Sequence, residues 1–148
     1  MSGTYSFQDV QATLVGPGAI INLGAGAAVA KEGITLAAAS DRNTMTVGAD
    51  GEGMHSLHAD KSGTVTVRLL KTSPTNAKLS AAYNVQTQDS SLHGQNIITV
   101  SNPRVGDLAT ARQVAFKRKP DLTYAEDADI VEWVFDAVKI DEVRGVFR

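Results

Sequence analysis

The 148-residue chain contains no cysteine. Disulfides, thiolate metal sites and cysteine nucleophiles are excluded together. One tryptophan, three tyrosines and four phenylalanines are too few for a base-stacking platform. The longest apolar run, Ala25 to Ala30, falls far short of the roughly 20 residues of a membrane helix. The opening MSGTYSFQDV has neither the basic start nor the apolar core of a signal peptide. These absences lead to an expectation of a soluble protein made in the cytoplasm, with no membrane anchor. An excess of one charge is missing too. Fourteen Lys and Arg face sixteen Asp and Glu, for a net charge of −2, which argues against nonspecific nucleic-acid binding by the chain as a whole.

What is present is an ordinary globular composition, 43% hydrophobic and 20% charged. The length fits one domain, residues 1–148, with a core of its own. The strongest pattern is GTVTVRLLKTSPTNAKLSAAY, residues 63–83. Thr64, Thr66 and Arg68 alternate with Val65, Val67 and Leu69, the period of a half-buried strand. Ser73 then suits a helix N-cap and Pro74 the first helical position. Ala77, Ala81 and Val85 follow at i/i+4 spacing, widened by Leu79, Ala82 and Tyr83. This predicts one helix over about residues 74–86, laid on the sheet.

The remaining segments read as strands. Tyr5 to Leu14 is a first strand, with a phase shift at Asp9 that fits a bulge. Gly16-Pro17-Gly18 turns it into Ala19–Leu23. Ile34 to Ala38 and Thr44 to Val47 are short strands. Gln95 to Val100 follows the helix, and turns are read at Asn102-Pro103 and at Gly106-Asp107. In Thr110–Phe116, Ala111, Gln113 and Ala115 stand opposite Arg112, Val114 and Phe116. Ile130 to Lys139 is a long last strand with Trp133 and Phe135 on its core face, followed by a tail, Ile140 to Arg148. The fold class is mainly β: a sandwich or barrel of about eight strands with one flanking helix.

Candidate chemistry is thin. Gly24 to Gly33 (GAGAAVAKEG) is glycine-rich, but a phosphate cradle needs a glycine where Val29 stands, so a plain connection is favoured. Asp50 and Glu52 lack the later ligands of an EF-hand loop. His55 and His58 lack helical context, the third histidine, His93, is far away in sequence, and no second His pair or Cys is available for zinc. No serine sits in a G-x-S-x-G elbow. The reading assigns no catalytic residue, metal or cofactor. The basic run Lys117-Arg118-Lys119 is short and lacks an aromatic ladder. It reads as a charged strand end, or as a contact with the acids Glu126, Asp127 and Asp129 of another subunit at a nearby hairpin tip. Gly48 to Gly53 (GADGEG) reads as a mobile, exposed loop.

The run TMTVGADGEGMHSLHADKSGTVTVRLLKTSPTNAKLSAAYN, residues 44–84, resembles the tail tube proteins of contractile-tailed bacteriophages. So do YSFQDVQATLVGPG, ARQVAFKRKPDLTY and VEWVFDAVKID. The resemblance implies a β-sandwich or barrel with a flanking helix, assembled as hexameric rings that stack into a hollow tube inside a sheath. Type VI secretion tubes and R-type pyocin tubes share that fold. The implied partners are further copies of the chain, with sheath, baseplate and terminator proteins; phage DNA passes through the lumen without specific binding. The implied location is the virion tail, after assembly in the host cytoplasm. The segment Asp41 to Lys61 corresponds to the loop that reaches a neighbouring subunit or ring. Gly48, Gly51 and Gly53 would let it bend around Asp50 and Glu52, and Met54 and Leu57 would anchor it. Two candidate lumen surfaces follow, the Thr64/Thr66/Arg68 face and the Glu132/Asp136 positions. The alternatives are a tail terminator or secreted ring protein of the same fold, or a β-sandwich enzyme or ligand-binding module.

Overall fold

The computed structural model describes residues 3–147. Nine strands and one helix follow the chain: β1 Gln11–Gly16, β2 Ala19–Asn22, β3 Val29–Ala38, β4 Asn43–Val47, β5 Gly53–Leu57, β6 Gly63–Leu70, α1 Thr75–Gln86, β7 Asn96–Asn102, β8 Asp107–Arg118 and β9 Ile130–Val143. Seven form one antiparallel sheet in the order β2-β1-β7-β8-β9-β6-β3, and β4 and β5 form a separate hairpin. Mainly β with one helix is the expected class, and the long last strand lies inside the sheet between β8 and β6.

Strands from both ends of that order feed one core. Leu14 and Ile21 come from β1 and β2, Val65, Val67 and Leu69 from β6, and Phe135 from β9; Ile34 and Leu36 of β3 pack on the same cluster. A twelve-residue helix is only about 18 Å long and cannot cover seven strands at about 4.8 Å spacing. The sheet therefore curls around its apolar face, and α1 seals the opening with Leu79 and Ala82. The segment leaving β2 completes the closure. Leu70 N–H donates to the Ala28 carbonyl, and the Ser73 hydroxyl donates to that of Ala27.

The helix starts at Thr75 with Pro74, not Ser73, in the N-cap position and no cap bond from its side chain; the Ser73 Oγ accepts the Thr75 N–H at 3.2 Å. The buried face is only the flank of the predicted one, with Leu79 and Ala82 buried and Tyr83 half-buried. Thr75, Leu79, Ala82 and Gln86 face inward, while Ala77, Ala81 and Val85 are exposed. The partners at the two helix ends decide this. Asn76 Oδ1 accepts Trp133 Nε1–H at 3.0 Å, while Asn76 Nδ2 donates to the Leu70 carbonyl at 3.0 Å. Gln86 and Asn96 exchange side-chain hydrogen bonds of 2.8 and 2.6 Å at a buried site. Between these anchors Phe116 meets Tyr83 and Trp133 edge-on, at 5.5 and 5.9 Å between ring centres.

Other sequence expectations shift for local reasons. The first strand starts only at Gln11, because Phe7–Asp9 form a 3-10 turn capped by Ser6. Val29 to Gly33, read as connection, enters β3 with a register shift before Ile34. Asn102–Asp107 is a single hairpin, not two turns. In β8 the alternation breaks at Gln113, which takes φ of 52° where the register with β7 slips. That bulge brings Ala111, Val114 and Phe116 all inward, although strict alternation sets Ala111 opposite the other two. β9 changes phase with it, so Ala137 and Ile140 are both buried opposite Val114 and Ala111. β9 runs on to Val143, into the expected tail, whose last residue, Arg148, lies outside the described residues.

Asn96 Nδ2 also donates to the Val114 carbonyl at 3.1 Å, so Asn96→Leu orphans buried groups of both Gln86 and Val114. Each orphan costs about 1–3 kcal/mol. Urea unfolding of the unassembled subunit should show a loss of about 2–4 kcal/mol, partly recovered in the Gln86→Met/Asn96→Leu double variant. A loss below about 0.5 kcal/mol would show that the pair is dispensable.

Candidate assembly surfaces

The expected loop Asp41 to Lys61 is a paired hairpin rather than an irregular loop. Asn43↔Leu57, Met45↔His55 and Val47↔Gly53 are opposite pairs in its ladder, so Gly53 is a strand residue. Thr44 to Val47 alternates in β-branched residues, which suits strand pairing. The turn is closed by Gly48 N–H to the Glu52 carbonyl at 2.8 Å and Gly51 N–H to the Gly48 carbonyl at 3.0 Å. Asp50 Oδ1 accepts the Glu52 N–H at 3.2 Å. Of the three glycines credited with bending, only Gly51 needs positive φ, at 89°.

Met45, Val47 and Leu57 share one face of the hairpin and Met54 lies on the other, by the period of two. All four are exposed, Leu57 at 88%. The two expected anchors, Met54 and Leu57, thus point to opposite sides, and Met45 and Val47 join Leu57. The alternation of Thr44–Val47 carried that signal.

Asp60, beyond the hairpin, accepts the Ser62 N–H at 2.9 Å. Hydrogen bonds from the Ser62 hydroxyl and backbone hold its carboxyl below the ordinary 3.8. A lowered carboxyl pKa favours this turn at neutral pH, and the benefit disappears as pH falls through that lowered value.

The two candidate lumen surfaces turn out to be one. Thr64↔Asp136, Thr66↔Val134 and Arg68↔Glu132 are cross-strand pairs, so these side chains share the outward face of β6 and β9. Arg68 Nε lies 3.2 Å from Glu132 Oε2, and its Nη1 donates to Thr35 Oγ1 at 3.1 Å. The opposite face of β6 is core.

The basic run and the acids Glu126, Asp127 and Asp129 bound one long connection between β8 and β9, residues 119–129. Arg118 pairs with Asp121 at 3.5 Å, and Lys119 lies 5.7 Å from the Tyr83 ring centre. Lys71 holds the connection, with its Nζ donating to the Thr123 carbonyl and lying 4.4 Å from the Tyr124 ring centre. Beneath it is an open cleft of about 660 Å³ whose lining includes Trp133, Ile130 and Leu122. Leu122 and Tyr124 are 78% and 82% exposed, which no periodicity announced. Among the described residues, Lys117, Lys119, Glu126, Asp127 and Asp129 form no ion pair.

His58 Nε2 lies 3.3 Å from Thr44 Oγ1. Among the described residues no three of His, Cys, Asp and Glu gather as a metal-binding group, and no helix is long and apolar enough to cross a membrane.

Against this geometry, the model of a family described as the bacteriophage PhiTE tail tube protein matches residues 1–145. The chain belongs to that family. It is a structural tail tube protein, which makes it a component of the virion tail. Among curated proteins no relative matches. Several solved structures share the fold. A chain of the sheath–tube complex of an extracellular contractile injection system, PVC, in the extended state has a TM-score of 0.55 at 12% identity, over 90% of this chain and 88% of that one. The sheath/tube terminator of that system gives 0.59 at 11% identity, over 96% and 98%. The tube-terminating cap of the anti-feeding prophage gives 0.55 at 8% identity, over 98% and 95%.

Met45 and Leu57 are both strongly exposed. The Met45→Ser/Leu57→Ser variant of this tube protein should keep the subunit's stability within about 0.5 kcal/mol while weakening self-association. Urea unfolding and sedimentation velocity read the two effects. Unchanged association would remove these residues from the interface.

Proposed function

We propose that the chain assembles into hexameric rings that stack as the inner tube of a contractile tail, a conduit for the genome. The observation that carries this reading is the free-standing hairpin β4–β5, which pairs with no strand of the main sheet. An isolated two-stranded hairpin is marginal in water, and exposed apolar side chains favour burial against a partner. Asp41 to Lys61, with Gly48, Asp50, Gly51, Glu52, Gly53, Met54 and Leu57, is therefore the contact to a neighbouring subunit or ring.

The edge strands β2 and β3 present unpaired backbone groups of the kind that another copy can cover. The shared face of Thr64, Thr66, Arg68, Glu132 and Asp136 lines the lumen. It carries one base and two acids, a composition that lets DNA pass without the phosphate contacts that would hold it. Lys117 to Lys119 contacts a neighbour or the sheath. Assembly takes place in the host cytoplasm, with sheath, baseplate and terminator proteins as partners.

A second reading, a terminator that stops at one ring, draws support from the terminator of the PVC system, whose fold covers 96% of this chain. Negative-stain microscopy of the purified protein separates the two. Stacked tubes are expected, and single rings that never elongate would favour the terminator. Deletion of Gly48 to Met54 should leave a folded subunit by circular dichroism that does not polymerise. Tubes of normal length from that deletion would sink the role given to the hairpin.

A further inference from the structure

Charge is missing from one wall of the fold. No residue from Val10 to Ala30 is charged, and no Asp, Glu, Lys or Arg stands between Gln95 and Pro103, in a chain that is 20% charged. These segments hold β1, β2 and β7, which are neighbours in the sheet. Ile20, Val15 and Ile97 lie side by side across the outward face of the three strands, and Asn22, Thr13 and Thr99 form the next row. Ile20 is 79% exposed, and Val15 and Ile97 are 46% and 44%. Asn22 spends its amide locally, accepting the Gly24 N–H and donating to the Ala25 carbonyl. Charged side chains return on the other strands, with Arg112 and Lys117 exposed on β8 and Asp136 and Lys139 on β9. Depletion of charge around exposed apolar side chains is the mark of an interface centre.

The closure of the sheet sets where this wall points. In the order β2-β1-β7-β8-β9-β6-β3, β7 and β8 separate β1 from β9. The other way round, β2, the sealing helix and β3 separate β1 from β6. Leu14 and Ile98 from one side and Val67 and Phe135 from the other meet in one core cluster. The walls β2-β1-β7 and β6–β9 therefore back onto the core from opposite sides, and their outward faces point in opposite directions. With Thr64, Arg68 and Asp136 turned to the lumen, the uncharged wall lies on the outside of the tube.

We propose that the uncharged wall is the seat of the sheath subunit, held by apolar contact with Ile20, Val15 and Ile97 and by no ion pair. The proposal rests on the tube reading and on the lumen face assigned above. Size separates a sheath contact from a contact between copies. Three strands over the length of Gln11 to Val15 cover about 14 by 17 Å, roughly 240 Å², against about 800 Å² per partner in a stable interface. A patch this small does not hold a ring together by itself. It serves a partner that repeats with the subunit along the tube, where many weak contacts add. The surface that meets it is apolar and uncharged, since a charged group buried there finds no counter-charge. Such a contact fixes no register by charge, so the sheath can shift along the tube without breaking ion pairs.

Co-expression with the sheath protein of the same tail, followed by sedimentation of the tubes, tests this. Wild-type tubes should carry sheath equally at low and high salt, because an apolar contact is not screened. Ile20→Lys/Ile97→Lys and Ile20→Glu/Ile97→Glu should both form tubes of normal length. Both should bind sheath at least about tenfold more weakly, since a charge of either sign is desolvated in the contact. Loss of wild-type binding at high salt would overturn the proposal. So would wild-type binding by either tube-forming variant, or opposite effects of the two signs.

Variants that stay folded by circular dichroism but form no tubes would place the wall between copies. That result overturns the sheath assignment and leaves the tube reading standing on the wild-type protein. If the charged pairs do not fold, Val15→Thr/Ile97→Thr keeps β-branched side chains suited to the strands and should weaken sheath binding in the same direction. Unchanged binding by that variant would overturn the proposal. A wild-type protein that forms no tube overturns the tube reading and this proposal together.

Discussion

The reciprocal amide pair Gln86–Asn96 fixes the relation between helix and sheet. It ties the last turn of α1 to the start of β7, and Asn96 reaches on to the Val114 carbonyl just past the bulge in β8. A buried amide pair is costly unless satisfied, and the surroundings comply. Gly16 leaves the space, since a Cβ there would stand 2.9 Å from the Asn96 carboxamide carbon and 3.2 Å from Gln86 Nε2. The bulge at Gln113 and the matching change of phase in β9 then decide which residues of the two longest strands face inward.

With the core fixed this way, the hairpin lies beyond the Gly63 end of the β6–β9 ladder, and the connection 119–129 enters β9 at its Ile130 end. The strands between those ends supply length and stiffness. Gly63 marks where the rigid part begins, because an added Cβ there would collide with the Ala37 carbonyl and stand 2.6 Å from Ile140 Cδ1. From that point outward β4 and β5 pair only with each other. Local order without tertiary cover is what an element reserved for intermolecular contact looks like.

Much of the fold was legible. Thr64 to Leu69 alternates without interruption, and its outcome is equally regular, with Val65, Val67 and Leu69 fully buried. Ser73-Pro74 marked the helix start to within one residue, because the bond from Thr75 to Ser73 joins neighbours in sequence. Leu79, Ala82 and Tyr83 of the helix face were legible, but its centre shifts away from Ala77, Ala81 and Val85 because the deciding partners, Trp133 for Asn76 and Asn96 for Gln86, are distant or polar. Apolar spacing alone favoured Ala77, Ala81 and Val85. The β8 bulge was invisible for a similar reason: a single residue at positive φ resets a period that the sequence displays unbroken. Among the candidate assembly surfaces, the exposed turn Gly48 to Gly53 was readable from its glycines and acids, whereas the strand Gly53–Leu57 that pairs behind it was not. The exposure of Leu122 and Tyr124 was not, since it depends on Lys71 holding the connection from across the sheet. The union of the two lumen candidates needed the β6–β9 register, which sequence alone does not supply.

The hairpin turn needs only one residue at positive φ, and its ladder is already paired within the subunit. Joining a neighbour therefore requires little further backbone ordering, a cost that commonly offsets much of an interface's free energy. In the proposed assembly the driving force that remains is largely desolvation of the exposed Met45, Val47 and Leu57, and hydrophobic association weakens on cooling. A tube held together in this way is tighter in a warm host than in the cold.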